Sequence, residues 1–141
     1  MKRQMKIIGL CLSLSLVAGC STTYKQDGTD LIEDSRSAII DTSSCEKNQC
    51  PVIQEVDDKW RGLGQFKLYK LMPGIRKLRL IFVANGVTAK RAFLVEFRAE
   101  PGRTYVMRAN ADFEAMTWNP EVLDASTKEV VSKHTGFAWA Y

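Results

Sequence analysis

From Ser37 onward, apolar and polar residues alternate in short runs separated by turn residues. Ala38-Ile39-Ile40 is a short apolar run. Pro51 to Val56 alternates Val52, Gln54 and Val56 with Ile53 and Glu55. Gln65 to Leu71 alternates Phe66 and Leu68 with Lys67 and Tyr69. Ile75 to Val83 sets Leu78, Leu80 and Phe82 on one side, with Lys77, Arg79, Ile81 and Val83 on the other. Ala92 to Glu100 groups Phe93, Val95, Phe97 and Ala99 against Leu94, Glu96 and Arg98. Arg103 to Ala111 groups Tyr105, Met107 and Ala109. A period of two is the strand signature.

The punctuation agrees. Pro73-Gly74 and Pro101-Gly102 are turn pairs, in which Pro presets φ and Gly supplies positive φ. Asn85-Gly86 calls for a type I′ hairpin. Weaker strands follow at Phe113 to Trp118 and Glu121 to Ala125, then a turn at Ser126 to Glu129. The chain ends in "GFAWAY", which alternates Phe137, Trp139 and Tyr141 with small residues. Seven to eight short strands at this spacing predict an all-β fold, a small antiparallel β-sandwich. A short helix fits only before Ser37 or near Lys128 to His134.

The first residues follow another pattern. Lys2, Arg3 and Lys6 make a basic head, and Ile7 to Ala18 is an apolar run too short for the roughly 20 residues of a membrane helix. These are the parts of a secretory signal. Val17-Ala18-Gly19-Cys20 resembles the bacterial lipobox, in which the Cys thiol receives a diacylglyceryl group and the chain is cut before it. An ordinary signal peptide that contains a Cys is the alternative. The resemblance implies a signal over 1–19, lipidation of Cys20, a tether over 20–36 and a domain over 37–141. Ser21 stands where that family's inner-membrane retention signal is Asp, which implies anchoring at a bacterial outer membrane with the domain in the periplasm. One acyl chain binds marginally, so durable anchoring takes more than one. The tether, "STTYKQDGTDLIEDSR", is polar and suits a flexible linker, although Leu31-Ile32 could dock locally.

Processing changes the charge and cysteine arithmetic. The full chain carries +4, and three of its cations lie in the head. Residues 20–60 hold 4 basic and 9 acidic side chains, 61–108 hold 11 and 2, and 109–141 hold 2 and 5. A basic centre is flanked by acidic ends. Beyond Cys20 only Cys45 and Cys50 remain, and two cysteines in an oxidising compartment are expected to pair. A metal is not expected, because those two thiols and His134 fall short of the about four ligands of a structural zinc. No cofactor is expected.

"VDDKW", "LYKLMPGIRKLRLIFV" and "FRAEPGRTYVMRA" together resemble the turns of small bacterial envelope domains, including PEGA-type modules with a transthyretin-like β-sandwich. The resemblance spans about Pro51 to Ala109. It departs at Asp58, where Gly is usual, and at Arg76, where His is usual, and the Pro-Glu-Gly-Ala signature is absent. It implies a fold and no activity.

No catalytic constellation stands out, so a non-enzymatic role is expected. There is no Gly-x-Ser-x-Gly elbow, His134 has Ser132 and Lys133 for neighbours, and Asp57-Asp58 are adjacent residues that point apart on an extended chain. Two binding features remain. Lys77, Arg79, Arg91 and Arg98 are candidates for an anion-binding sheet face toward peptidoglycan or lipopolysaccharide. Outward Lys and Arg are also ordinary on a half-buried sheet. Phe137, Trp139 and Tyr141 are candidates for a partner-binding tail, through which an envelope accessory protein could dock another protein. Nucleic acid is not an expected partner.

Overall fold

A computed structural model describes residues 23–46 and 48–140. The signal over 1–19, Cys20 and Tyr141 therefore lie outside the described residues.

Twelve strands form among the described residues. They are β1 (Thr23–Lys25), β2 (Ala38–Asp41), β3 (Val52–Val56), β4 (Lys59–Trp60), β5 (Leu68–Leu71), β6 (Gly74–Ile81), β7 (Val83–Ala84), β8 (Val87–Thr88), β9 (Arg91–Ala99), β10 (Thr104–Arg108), β11 (Glu121–Asp124) and β12 (Ser132–Trp139). One five-stranded sheet runs β1-β5-β2-β10-β11, the other β12-β9-β6-β3-β4, and β7-β8 is a separate hairpin. The fold is all-β, as the alternation predicts. The count exceeds seven to eight because β4, β7 and β8 are two-residue strands too short to show a period. The first sheet is also mixed: β1 runs parallel to β5, and β10 runs parallel to β2.

The long strands bury the faces that their alternation assigns. Leu78 and Leu80 of β6 and Val95 and Phe97 of β9 are buried, as are Tyr105 and Met107 of β10. Asn85 and Gly86 both take positive φ, 51° and 77°, in the β7-β8 turn. Two strands break phase. In β3 the register shifts between Ile53 and Glu55, so Ile53 and Val56 are both buried rather than one or the other. In β12 it shifts between His134 and Gly136. An extra residue in a bulge flips everything after it to the other face.

The expected strand over 113–118 is instead a hairpin loop. Asp112 and Thr117 exchange backbone bonds of 2.8 and 3.0 Å. The Asp112 carboxylate accepts from the Glu114 and Ala115 N–H groups, and Met116 takes a φ of 54°. A helix near 128–134 does not form: Lys128 has a φ of 64° in a turn, and β12 begins at Ser132.

The expected tether is part of the domain from Thr23 on. Tyr24 packs on Phe66 and Tyr69, with ring centroids 5.9 and 5.5 Å apart. Two 3₁₀ turns follow, Thr29–Leu31 and Asp34–Arg36, with Thr29 fully buried and Leu31 exposed. This segment crosses the end of the sandwich where β6 begins. Gln26 donates to the Asp57 carboxylate at 2.6 Å and accepts from the Met72 N–H at 2.9 Å, joining the two sheets. Asp57 also accepts from Arg76 at 2.7 Å and from the Lys77 N–H at 2.9 Å. Gly102, with a φ of 71°, donates to Ser37 O, and a Cβ there would meet Ser35 O at 2.8 Å. The Tyr105 hydroxyl accepts from the Glu100 N–H at 2.9 Å and donates to Arg98 O at 3.3 Å. This closed end is a polar lock. The opposite end, where β6 stops at Ile81, is open.

Candidate functional site

The open end carries a cavity of about 670 Å³. Its floor is Phe82, which follows β6, together with Phe93 of β9 and Trp118. These rings form one cluster: Phe82 stacks on Trp118 at 5.4 Å and Phe93 meets Trp118 edge-on at 4.7 Å. One wall is the β7-β8 hairpin and the other is the 112–117 hairpin. Their tips are apolar and exposed, with Val87 on one and Phe113 and Met116 on the other. Lys90, Arg91 and Asp112 supply charge among the lining residues. The Trp118 indole N–H is buried and has no acceptor among the described residues.

The disulfide loop holds one wall. Cys45 and Cys50 are bonded, with Cα atoms 5.3 Å apart. Within that loop Asn48 bonds Asn85 in both directions, at 3.0 and 3.3 Å, and Gln49 O accepts from the Ala109 N–H at 2.8 Å. The bridge therefore ties the β7-β8 turn to β10.

The aromatic cluster continues onto β12. Ser132 and His134 oppose Phe97 and Val95, on the inner side. After the bulge, Phe137 and Trp139 oppose Phe93 and Arg91, again on the inner side. Without the extra residue Gly136 and Ala138 would stand there. Phe137 touches Phe93 at 4.8 Å, and the Arg91 guanidinium lies 5.6 Å from the Phe137 ring centroid. Both tail aromatics reach past the core to the rim, Phe137 being 59% exposed and Trp139 74%. β12 is the edge of its sheet, pairing only with β9 among the named strands.

The expected basic face is divided. Lys77 opposes Glu96, Arg79 opposes Leu94 and Arg98 opposes Ile75, on the outer side of the second sheet. Arg91 belongs to the inner side, beside Phe137, so it does not join them. Acids are interleaved on the outer side. Glu55 opposes Arg79, and Lys133 pairs with Glu96 at 3.2 Å. Glu55, Lys77, Arg79 and Glu96 line one depression of about 300 Å³. Arg79 is engaged with Gln54 at 2.7 Å and with the Trp139 carbonyl.

Asp57, Asp58 and His134 do not meet. The two acids form the β3-β4 turn at one edge of the second sheet, and His134 lies on β12 at the other. His134 bonds Pro120 O at 2.9 Å through Nε2 and packs on Phe93 at 5.0 Å. Among the described residues, no group of three His, Cys, Asp or Glu side chains is placed to hold a metal. Asp124 has the most perturbed carboxyl, brought down to about 2 by the Ser126 hydroxyl and the Thr127 and Ser126 N–H groups. It caps the 124–129 turn and pairs with Arg103 at 3.0 Å, so its role there is structural.

No protein family, curated protein or solved structure matches this chain.

Proposed function

We propose that this protein is a lipid-anchored accessory module of a bacterial outer membrane that docks another envelope protein along the open half of β12. One observation carries the docking reading: the bulge in β12 turns Phe137 and Trp139 to the inner rim, where both stay exposed on an edge strand. An edge strand offers unpaired backbone, and exposed aromatics beside it supply anchors for a partner strand. The anchored, periplasmic location is supported by the lipobox resemblance at Val17 to Cys20. An anion-binding role for the outer face has weaker support, because Glu55 and Glu96 stand among its cations.

The test is chemical crosslinking in cells that express the full chain, comparing the unaltered protein with Phe137→Ala/Trp139→Ala. The double variant should keep its fold, since both side chains are largely exposed, and should lose the captured partner. An unchanged set of captured proteins would sink the docking reading. Mass analysis of the mature N-terminus tests the anchor separately, with acyl chains on Cys20 expected.

A further inference from the structure

The cavity at the open end is not explained by strand docking. A volume of about 670 Å³ lies within the roughly 300–1,000 Å³ typical of sites for small organic ligands. Its floor is aromatic, and its two hairpin tips expose Val87, Phe113 and Met116 to water. Apolar side chains gathered around a concavity mark a surface that is covered in use. Met116, unbranched and polarisable, can follow the shape of a flexible chain.

Charge at the cavity narrows the ligand. The Asp112 carboxylate is occupied by the Glu114 and Ala115 N–H groups of its own loop. Lys90 and Arg91 are exposed, and neither is held in an ion pair among the described residues. The site thus offers an apolar interior with two available cations, the complement of an apolar chain that ends in an anion.

The path of the chain gives the same direction. Thr23 opposes Leu68, which in turn opposes Asp41 at the last position of β2, so β1 starts at the open end. Cys20 lies three residues earlier, within about 10 Å of chain reach. A lipid on Cys20 would hold the open end near the membrane surface. That orientation rests on the anchor reading, whereas the shape and charge of the cavity do not.

We propose that the open-end cavity binds one acyl chain bearing an anionic head, with Lys90 and Arg91 holding the head and Phe82, Phe93 and Trp118 packing the chain. The chain comes either from a free fatty carboxylate or from an anionic bilayer lipid.

The full chain, reconstituted in phosphatidylcholine vesicles, is irradiated with a diazirine-bearing dodecanoate, and adducts are mapped by mass spectrometry. A parallel arm uses a diazirine-bearing dodecyl trimethylammonium. A third arm places the diazirine on phosphatidylglycerol within the vesicle. Adducts should concentrate in 82–93 and 111–118. The dodecanoate probe should label these segments about fivefold more than the cationic probe, the scale of two exposed charge pairs. Lys90→Glu/Arg91→Glu should reverse that ratio with an unchanged thermal midpoint, because both side chains are exposed. Labelling by dodecanoate alone identifies a free carboxylate, and labelling by phosphatidylglycerol identifies a bilayer lipid. Cys20→Ser should abolish only the phosphatidylglycerol labelling, which separates failure of the anchor from failure of the cavity site. Adducts scattered over other segments, equal labelling by the two charges, or an unreversed ratio would overturn the proposal. So would capture of a protein in place of the probe by a photoreactive residue at Phe113.

Discussion

The two ends of the sandwich are built from the same kinds of turn and use them in opposite ways. At the closed end, turn residues and the segment before Ser37 satisfy one another: Asp57 takes Gln26, Arg76 and the Lys77 N–H, and Gly102 lets the chain approach Ser35 and Ser37. At the open end, two hairpins stand apart over an aromatic floor and present Val87, Phe113 and Met116 to solvent. Buried or half-buried polar groups with full partners fix a structure, whereas apolar groups left exposed do nothing for folding and are free for binding. Stability and recognition are thus assigned to opposite ends of one small domain.

That division can be broken from the closed side first. Asp57→Asn keeps a residue tolerant of the left-handed backbone but removes the charge that Arg76 and Gln26 share. It should cost about 2–3 kcal/mol in urea unfolding, since Arg76 and Asp57 are both largely shielded. Asp58→Asn, one residue on and exposed, should stay within about 0.5 kcal/mol. Equal losses for the two would remove Asp57 from the lock.

The Cys45–Cys50 bridge is the covalent brace of the open end. Replacing both by Ser should cost about 2 kcal/mol on loop entropy alone. The loss should be local, with faster amide exchange at 83–89 and little change at 26–37. Uniform acceleration across both ends would contradict the assignment of the loop to one wall.

Acid should act on the closed end. Asp124 has a folded pKa near 2, below its ordinary 3.8, through the Ser126 hydroxyl and the Thr127 and Ser126 N–H groups. A depressed carboxyl binds fewer protons folded than unfolded, so its stabilisation is complete above about pH 4 and is lost as pH falls toward 2. Asp124→Asn should flatten the slope of stability against pH in that window. A slope equal to that of the unaltered protein would discount the Asp124 turn as its source. The smallest effect belongs to Val87→Ser and Met116→Ser, both highly exposed, which should shift stability by no more than about 0.5 kcal/mol.

The long strands and their faces were legible because alternation in β6, β9 and β10 is unbroken and each is bounded by Asn-Gly or Pro-Gly. The bulges were not. Neither Gln54 nor Thr135 is a residue type that marks a bulge, and the extra residue shows only against the partner strand. The segment over 23–37 was misread for a related reason. Its composition is that of a solvated linker, but its contacts are individual hydrogen bonds to Asp57, Met72 and Gly102, fixed by the fold and not by local pattern. The tail was legible as an aromatic stripe, yet its direction depends on the bulge. The cavity could not be seen at all, because its lining comes from three separate stretches of chain.

The central claim is that the open half of β12 is the docking edge. The most direct measurement is photocrosslinking in cells from a benzoyl-phenylalanine placed at Trp139, compared with the same group at Trp60 on the opposite edge of the same sheet. Both positions carry exposed tryptophans, 74% and 63%, so accessibility is matched. A discrete partner band from position 139 and none from position 60 is the expected result. Equal capture from both edges, or capture from position 60 alone, would contradict it.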